Sequence, residues 1–546
     1  MLRRESPPDV NRYALSRPAL YKTLLADPGL RVVAGPVPAY NCTMSYGYKQ
    51  GSMNLQTPIP RRFTPSRPLL AALALSLLST GCAVGPEYHP PATDTPISWQ
   101  APRPHGGDVA SMAEWWKCFD DPLVAELISI AEQDSPSLTK AWANIEKARA
   151  SLRSVQSGAS PNVSGSASAT RGNQGLTSTA GGAGTGSAAT TTSRSTGLDA
   201  SWELDLFGKV KRNVQAAQAR VEERSADWHD ARVSLAAEVV DTYVQYQGCM
   251  MLVDVYERQL TSVKATDRST SILVAAGFSA SADASLAHAS TATTLSTLTE
   301  QRGACDVLVK SLIFLTGLDE PALRDRLARS AGKIAQPAAL AVGSVPADVL
   351  RQRPDLASLE RELAATSAEI GAAKADLYPS LSLSGSITLS ASSLAASATS
   401  WSFGPTLSLP IFDGGKRRAA VDGAQATYQG ALASYRGGVR TAIKEVEQAL
   451  VYLDSAAQRA ASAQSAAKNY QDYFHSSERQ WQAGMVSLLN LEEARRSALS
   501  SEVTWITLQR DRVQYWISLY RKLGGGWQAD RPALSPTELS QAATAQ

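Results

Sequence analysis

Charge is scarce in this chain. Of 546 residues only 19% are Asp, Glu, Lys or Arg, and the formal net charge is +3. That leaves no basic stripe for nucleic acid and no field for a strongly acidic partner. Histidine is scarcer still. The five present (His89, His105, His229, His288, His475) share no metal-ligand spacing, and there is no His-Glu-x-x-His. Gly208-Lys209 and Gly415-Lys416 resemble the end of a phosphate loop, but the glycine required five positions earlier is Glu203 in one and Pro410 in the other. The residues therefore point to no catalytic, cofactor or metal site, and to no enzyme. A last shortage concerns helix breakers: between Lys209 and Ala276 there is no proline and one glycine, Gly248.

What fills that stretch is Ala, Gln, Glu and Arg, residues that cost little in a helix. From Leu235 the seam Leu235, Val239, Thr242, Tyr246, Cys249, Val253, Tyr256, Leu260, Val263 steps by four and three, a heptad stripe for packing along a neighbouring helix. Some 65 residues at about 1.5 Å each span roughly 100 Å. The sequence then predicts a turn at Gly277 and a returning helix to Gly317. The unit recurs at a shift of 207: Lys209 falls on Lys416, Glu238-Val239 on Glu445-Val446, Gly277 on Gly484 and Gly317 on Gly524. A constant offset over a hundred residues marks a duplicated unit.

In chain order, residues 1–52 show no periodicity and read as an upstream extension, with Met53 the working start. Residues 53–81 read as a secretory signal: a basic region (Arg61, Arg62, Arg67), ten apolar-rich residues from Leu69 to Leu78, then small residues into Cys82. Ten are too few for about 30 Å of hydrocarbon. Small residues running into a cysteine resemble a lipoprotein signal, with Cys82 lipidated and Ser79 in place of the usual bulky residue; an ordinary cleaved signal is the alternative. Residues 82–121 form a proline-rich extended tether. Asp121 caps a helix expected from Pro122 to about Ser157. The first repeat is 122–317, a linker covers 318–345, the second repeat is 346–526, and 527–546 is expected to be a disordered tail.

Between the helical blocks lie two strand pairs. Leu198, Ala200, Trp202, Leu204, Leu206 alternate with polar residues, as do Leu381, Leu383, Ile387, Leu389 and Trp401, Phe403, Leu407, Leu409, Ile411. The fourth strand, Asn162 to Arg171, is plainer. The connections Arg171–Arg194 and Ala391–Ser400 read as surface loops. One apolar and one small polar face fit a membrane barrel. Four strands cannot close, and an open edge in lipid leaves backbone groups unpaired. Two copies would give an eight-stranded, side-chain-filled interior and three a twelve-stranded bore, which the polar face favours.

These residues resemble a known family: the outer-membrane efflux factors related to TolC, in the lipoprotein, NodT-type branch serving resistance-nodulation-division pumps. The resemblance covers Met53 to about Trp527. It rests on Cys82 with Gly85-Pro86-Glu87-Tyr88, Trp115-Trp116, Trp202 to Lys209, Arg351 to Asp355, Leu377-Tyr378-Pro379, and Phe412 to Lys416. It implies a mainly α protein with a membrane β-barrel: a homotrimer with a twelve-stranded barrel in the outer-membrane lipid and a periplasmic α-barrel of helical hairpins. The implied partners are a periplasmic adaptor (membrane fusion protein) and an inner-membrane pump. The tips at Gly277, Phe278, Gly484 and Met485 would contact the adaptor. The resemblance places a constriction at Asn490 and Glu493, with Asp283 at the equivalent place in the first repeat; the usual acidic residue is replaced by Asn490. Solvated acids at helix starts are the plain alternative. The function implied is a passive efflux duct for small toxic compounds. A type I protein secretion duct and a trimeric coiled-coil adhesin stand as alternatives.

Cys249 lies 28 residues before Gly277 and Cys305 28 after it, so a hairpin folding there sets them at one height. Both sit on inward seams, and an oxidising periplasm permits a disulfide. Two small apolar fillers would be the other reading.

Overall fold

Two helices of equal length carry the fold of the computed structural model, which describes residues 83–91, 100–101, 115–174, 189–329, 332–337, 353–393, 395–525, 527 and 532–544. The extension, the signal segment, Cys82 and most of the motif before Arg353 lie outside those residues. In chain order the elements are α1 (Pro122–Gln133), α2 (Pro136–Ser157), β1 (Asn162–Gln174), β2 (Ala189–Leu204), α3 (Lys209–Ala275), α4 (Ser281–Thr316) and α5 (Glu320–Ala328). There follow α6 (Pro354–Ala375), β3 (Ser380–Ser392), β4 (Ala395–Ser408), α7 (Lys416–Gln482), α8 (Leu488–Lys522) and α9 (Pro536–Thr544).

Helices α3 and α7 each have 67 residues and start and end at positions related by the 207-residue shift. Each starts behind a glycine in the left-handed region, Gly208 (φ 78°) and Gly415 (φ 90°), where a side chain would be strained. Each ends in a turn through a second such glycine, Gly277 (φ 78°) and Gly484 (φ 72°), from which α4 and α8 return. Upstream of the rods the repeat continues at a different shift. Asn162 corresponds to Ser380, and the ends of α2 and α6, Ser157 and Ala375, correspond likewise, 218 residues apart. The change of shift falls in the connection between β1 and β2, which is longer than that between β3 and β4. Along α3 the heptad seam is buried or half-buried. Val240, Tyr243, Val244, Leu252 and Val255 are buried beside it, because α2, α4, α6 and α8 all pack against α3.

The four strands make one antiparallel sheet in the order β1-β2-β3-β4, leaving β1 and β4 as edges. Its strands outrun the sequence expectation at the end away from the helices. β1 continues to Gln174, β2 begins at Ala189, β3 reaches Ser392 and β4 starts at Ala395, so the segments read as loops are partly strand. The Thr190–Ser195 run has no apolar alternation to reveal its period, yet its backbone pairs in full register. At the opposite end Leu206, Leu409 and Ile411 fall beyond the strands.

Three further expectations change. The helix expected over 122–157 is two helices. Proline disfavours helical geometry in the residue before it, so Ser135 becomes extended and caps α2 through Leu138 N. The linker holds α5, with Leu323 and Leu327 buried, and the tail holds α9, with Leu539 buried. Both are too short to show a clear helical period in sequence.

The largest core lies where α1, α2, α3, α4, α5, α7, α8 and α9 meet. Trp115, 1% exposed, stacks on Tyr520 at 5.3 Å, with Trp516 and Phe119 edge-on. Asp121 caps α1 through Leu123 N and accepts hydrogen bonds from Tyr243 (2.7 Å) and Gln247 (3.2 Å) of α3. Gln247 in turn accepts one from Ala335 N at 2.9 Å, pinning the segment after α5. Among the described residues no helix is long and apolar enough to cross a membrane.

Candidate conduction path

The register of the sheet sorts its side chains into two faces. One face carries the rows Leu204–Leu381–Leu407, Trp202–Leu383–Pro405, Val163–Ala200–Gly385–Phe403, Gly165–Leu198–Ile387–Trp401 and Ala167–Thr196–Leu389–Thr399. The other carries Glu203–Ser382–Thr406, Asn162–Ser201–Ser384–Gly404, Ser164–Asp199–Ser386–Ser402 and Ser166–Gly197–Thr388–Ser400. Hydroxyls on the second face bond across strands, Ser168 to Ser195 at 2.8 Å and Ser386 to Ser402 at 2.9 Å. Its charged residues are Asp199 and Glu203.

Among the described residues nothing covers the apolar face. Trp401 is 77% exposed and Phe403 70%, and Val163, Leu198, Ile387, Leu389 and Leu407 are exposed with them. A contiguous exposed apolar face of this kind marks a surface built to meet lipid or another protein. Lipid against it and water against the hydroxyl face satisfy both sides.

The opposite ends of the rods are the two tips. Each offers a glycine followed by an exposed apolar side chain: Gly277 with Phe278 (82%) and Gly484 with Met485 (70%). Asn490 and Glu493 lie together, exposed, on the first turns of α8, with Asn490 N bonded to the capping Ser487 hydroxyl. Asp283 lies in the first turn of α4, accepting from the Ser279 hydroxyl at 3.2 Å. No hydrogen bond or ion pair joins it to Asn490 or Glu493, so within one chain the structure groups two of the three.

Sequence reasoning missed the polar cluster one turn further in. Arg495, 1% exposed, pairs with Glu492, donates to Thr266 of α3 at 2.7 Å and lies 5.3 Å over the Phe474 ring of α7. Glu492 accepts from Ser290 of α4 at 3.2 Å. The pair thus ties all four rods near the tips. Three-residue spacing looks like an ordinary surface pair, but Leu488, Leu491, Arg495 and Ala498 form one seam, and an arginine in a seam was the available signal.

Further along, Cys249 and Cys305 are joined by a disulfide between α3 and α4, with Cα atoms 5.7 Å apart. Cys118 is a free thiol. At the start of α6, Arg353 grips Asp355 (2.7 Å) and Glu445 (3.1 Å) and donates to the last-turn carbonyl of Lys522 at 2.7 Å, while Lys522 pairs with Glu445. Burial opposes the Glu445 carboxylate, but the hydrogen bonds from Lys522 and Arg353 prevail and hold its pKa below the usual range. Glu223, buried on α3, goes the other way: burial lifts its pKa to about 7, with Arg224 opposing and Glu362 and Asp227 adding to the rise.

The match to known proteins spans both repeats. A family model described as outer membrane efflux protein matches residues 127–318 and 345–525. The chain is 32% identical over 455 residues to Nodulation protein T of Rhizobium leguminosarum bv. trifolii, covering 82% of this chain and 94% of that protein. It is 29% identical to outer membrane protein OprJ of Pseudomonas aeruginosa, covering 85% and 96%. Its structure aligns with the outer-membrane channel OprN at a TM-score of 0.71 and 31% identity, over 82% of this chain and 100% of that one.

Proposed function

The chain belongs to the outer membrane efflux protein family, and from that membership we propose that three copies close their sheets into one twelve-stranded barrel. As an outer-membrane efflux channel it is a duct and not an enzyme, and it extends into the periplasm. The barrel would open into a tube of α3, α4, α7 and α8. Small toxic compounds handed over by an inner-membrane pump and a periplasmic adaptor would leave through it. The observation that carries this reading is the sheet: four strands, two unpaired edges, one continuous apolar face and one continuous hydroxyl face. A lone four-stranded sheet in hydrocarbon would leave both edges unsatisfied at several kcal/mol per group, and closure removes them. A ring of twelve strands leaves a water-filled bore where eight would be filled by side chains.

At the far end the exposed tips Gly277-Phe278 and Gly484-Met485 suit contact with the adaptor. Asn490 and Glu493, threefold repeated and joined by Asp283 of each chain, suit a narrow mouth. Exchange of Glu493→Gln would then lower cation preference, and unchanged selectivity would remove Glu493 from that mouth.

Lipid on Cys82 completes the reading. It is supported by the next residue: Ala83 packs against Gly208, where an added Cβ would sit 2.8 Å from it, and Val84 N bonds Phe207 O at 3.2 Å. That junction lies at the base of the apolar rows, the level of the inner leaflet. Cys82→Ser is expected to abolish acyl labelling, and persistent labelling would place the lipid elsewhere.

Closure is tested by pairs of cysteines, one in β1 and one in β4 of the same chain, scanned along both strands and oxidised in cells. The expected product is a ladder of chain-to-chain crosslinks ending at the trimer. Monomers throughout the panel, in protein shown to reside in the outer membrane, would refute the closed ring.

A further inference from the structure

Above the last apolar row of the sheet, on the same face, stand two arginines. Arg194 lies one row beyond Thr196–Leu389 and pairs with Ala169 and Ala391; Arg171 lies one row further and pairs with Thr192. They are diagonal neighbours on adjacent strands, roughly 7–8 Å apart at the backbone, and both side chains are exposed. Neither has a carboxylate partner among the described residues. Asp199 and Glu203 project from the opposite face. The connection 175–188 between the two strands contains no Asp or Glu. The second hairpin has Ala391 and Ser397 at the corresponding height, so the pair belongs to β1 and β2 alone.

Their height has a meaning if the sheet is the barrel wall proposed above, on which this inference rests. From Leu204 to Arg194 is ten residues, about 34 Å along a strand at ~3.4 Å each. Tilted by about 40°, that rises about 26 Å, close to the ~25 Å apolar band of an outer-membrane barrel. The guanidinium groups therefore emerge at the headgroups of the outer leaflet, on the lipid side and not in the bore. Two planar donors about one phosphate apart, without countercharge and beside apolar rows that can hold acyl chains, form a fork for a phosphate on an amphiphile.

We propose that Arg171 and Arg194 bind the phosphate of a phosphorylated glycolipid of the outer leaflet, one site per chain, its acyl chains lying on the Leu198–Ile387–Trp401 row. The arginine pair takes the place of the divalent cation that such phosphates otherwise need between neighbours. A free phosphate ion lacks the acyl contacts and would be held weakly in water.

The test reconstitutes the full chain in phosphatidylethanolamine vesicles containing a bis-phosphorylated multi-acyl glycolipid or its dephosphorylated counterpart. Lipid retained after mild detergent extraction is counted by native mass spectrometry. Wild type is expected to retain the phosphorylated form about tenfold better than the dephosphorylated one, and Arg171→Gln/Arg194→Gln to retain both at the lower level. Arg171→Lys/Arg194→Lys keeps charge without the fork and is expected to fall between. Equal retention of the two lipids by wild type, or no loss in the glutamine variant, overturns the proposal. So does displacement of the glycolipid by millimolar inorganic phosphate. Ion conductance of the same preparations in bilayers free of glycolipid separates the two readings. Conducting channels without lipid preference sink this inference alone, whereas the absence of any conductance sinks the barrel itself.

Discussion

Glu223 shows how one buried side chain couples this fold to pH. Its carboxyl pKa stands at about 7 against an ordinary 4.5, with burial the leading cause. Between those values the native state binds more protons than the unfolded chain, so stability falls as pH rises. The stability associated with its neutral form is complete below about pH 4.5 and is lost on passing pH 7. Glu223→Gln keeps the neutral shape at every pH. The variant is therefore expected to match wild type near pH 4.5 and to exceed it by about 1–3 kcal/mol near pH 8 in urea unfolding. A difference that does not change with pH would show that Glu223 ionises freely. The feature could not be read from sequence, since Glu223 sits among Glu222, Arg224 and Asp227 and looks like any solvated helical turn. Arg495 was hidden for a related reason. A seam position says that a residue is inward, but not that Thr266 and Glu492 will be waiting for it.

At the level of elements, the first hairpin differs from its duplicate by a covalent tie. The bond between Cys249 and Cys305 spans 56 residues of chain, while the second hairpin has Ala456 and Arg512 at the matching places. Closing a loop of that length restricts the unfolded chain by about 4 kcal/mol on the entropy model. Cys305→Ser is expected to lower the unfolding midpoint, with local hydrogen exchange rising in α3 and α4 and not in α7 and α8. Equal protection in the variant would show that packing of Val253, Leu260, Val263 and Leu298 suffices. The helices were legible because long periodic runs and a constant shift cannot be mistaken, and the left-handed glycines punctuate them. The equal spacing of the cysteines from Gly277 likewise set their height in the hairpin. Strand ends were less legible, since Thr190–Ser195 and Ser390–Ser392 carry no apolar signal while their backbones pair. Helices α5 and α9 escaped because nine residues of mixed character are held in each by burial of Leu323 and Leu327 or of Leu539, which depends on distant partners.

For the whole molecule, the sequence already carries the logic of assembly: apolar alternation without a soluble core to receive it, and strands too few to close. What it does not carry is the contact between copies in the proposed ring, because the edges β1 and β4 would pair through backbone, which every sequence offers. In the proposed assembly, copies of this chain enclose one continuous aqueous path. Purified protein added to a planar lipid bilayer measures this directly. The prediction is stepwise, long-lived conductance increments of uniform size, from the fraction that migrates as a trimer. A bilayer that stays silent, although the trimer inserts and its strands are protected from protease, would contradict it.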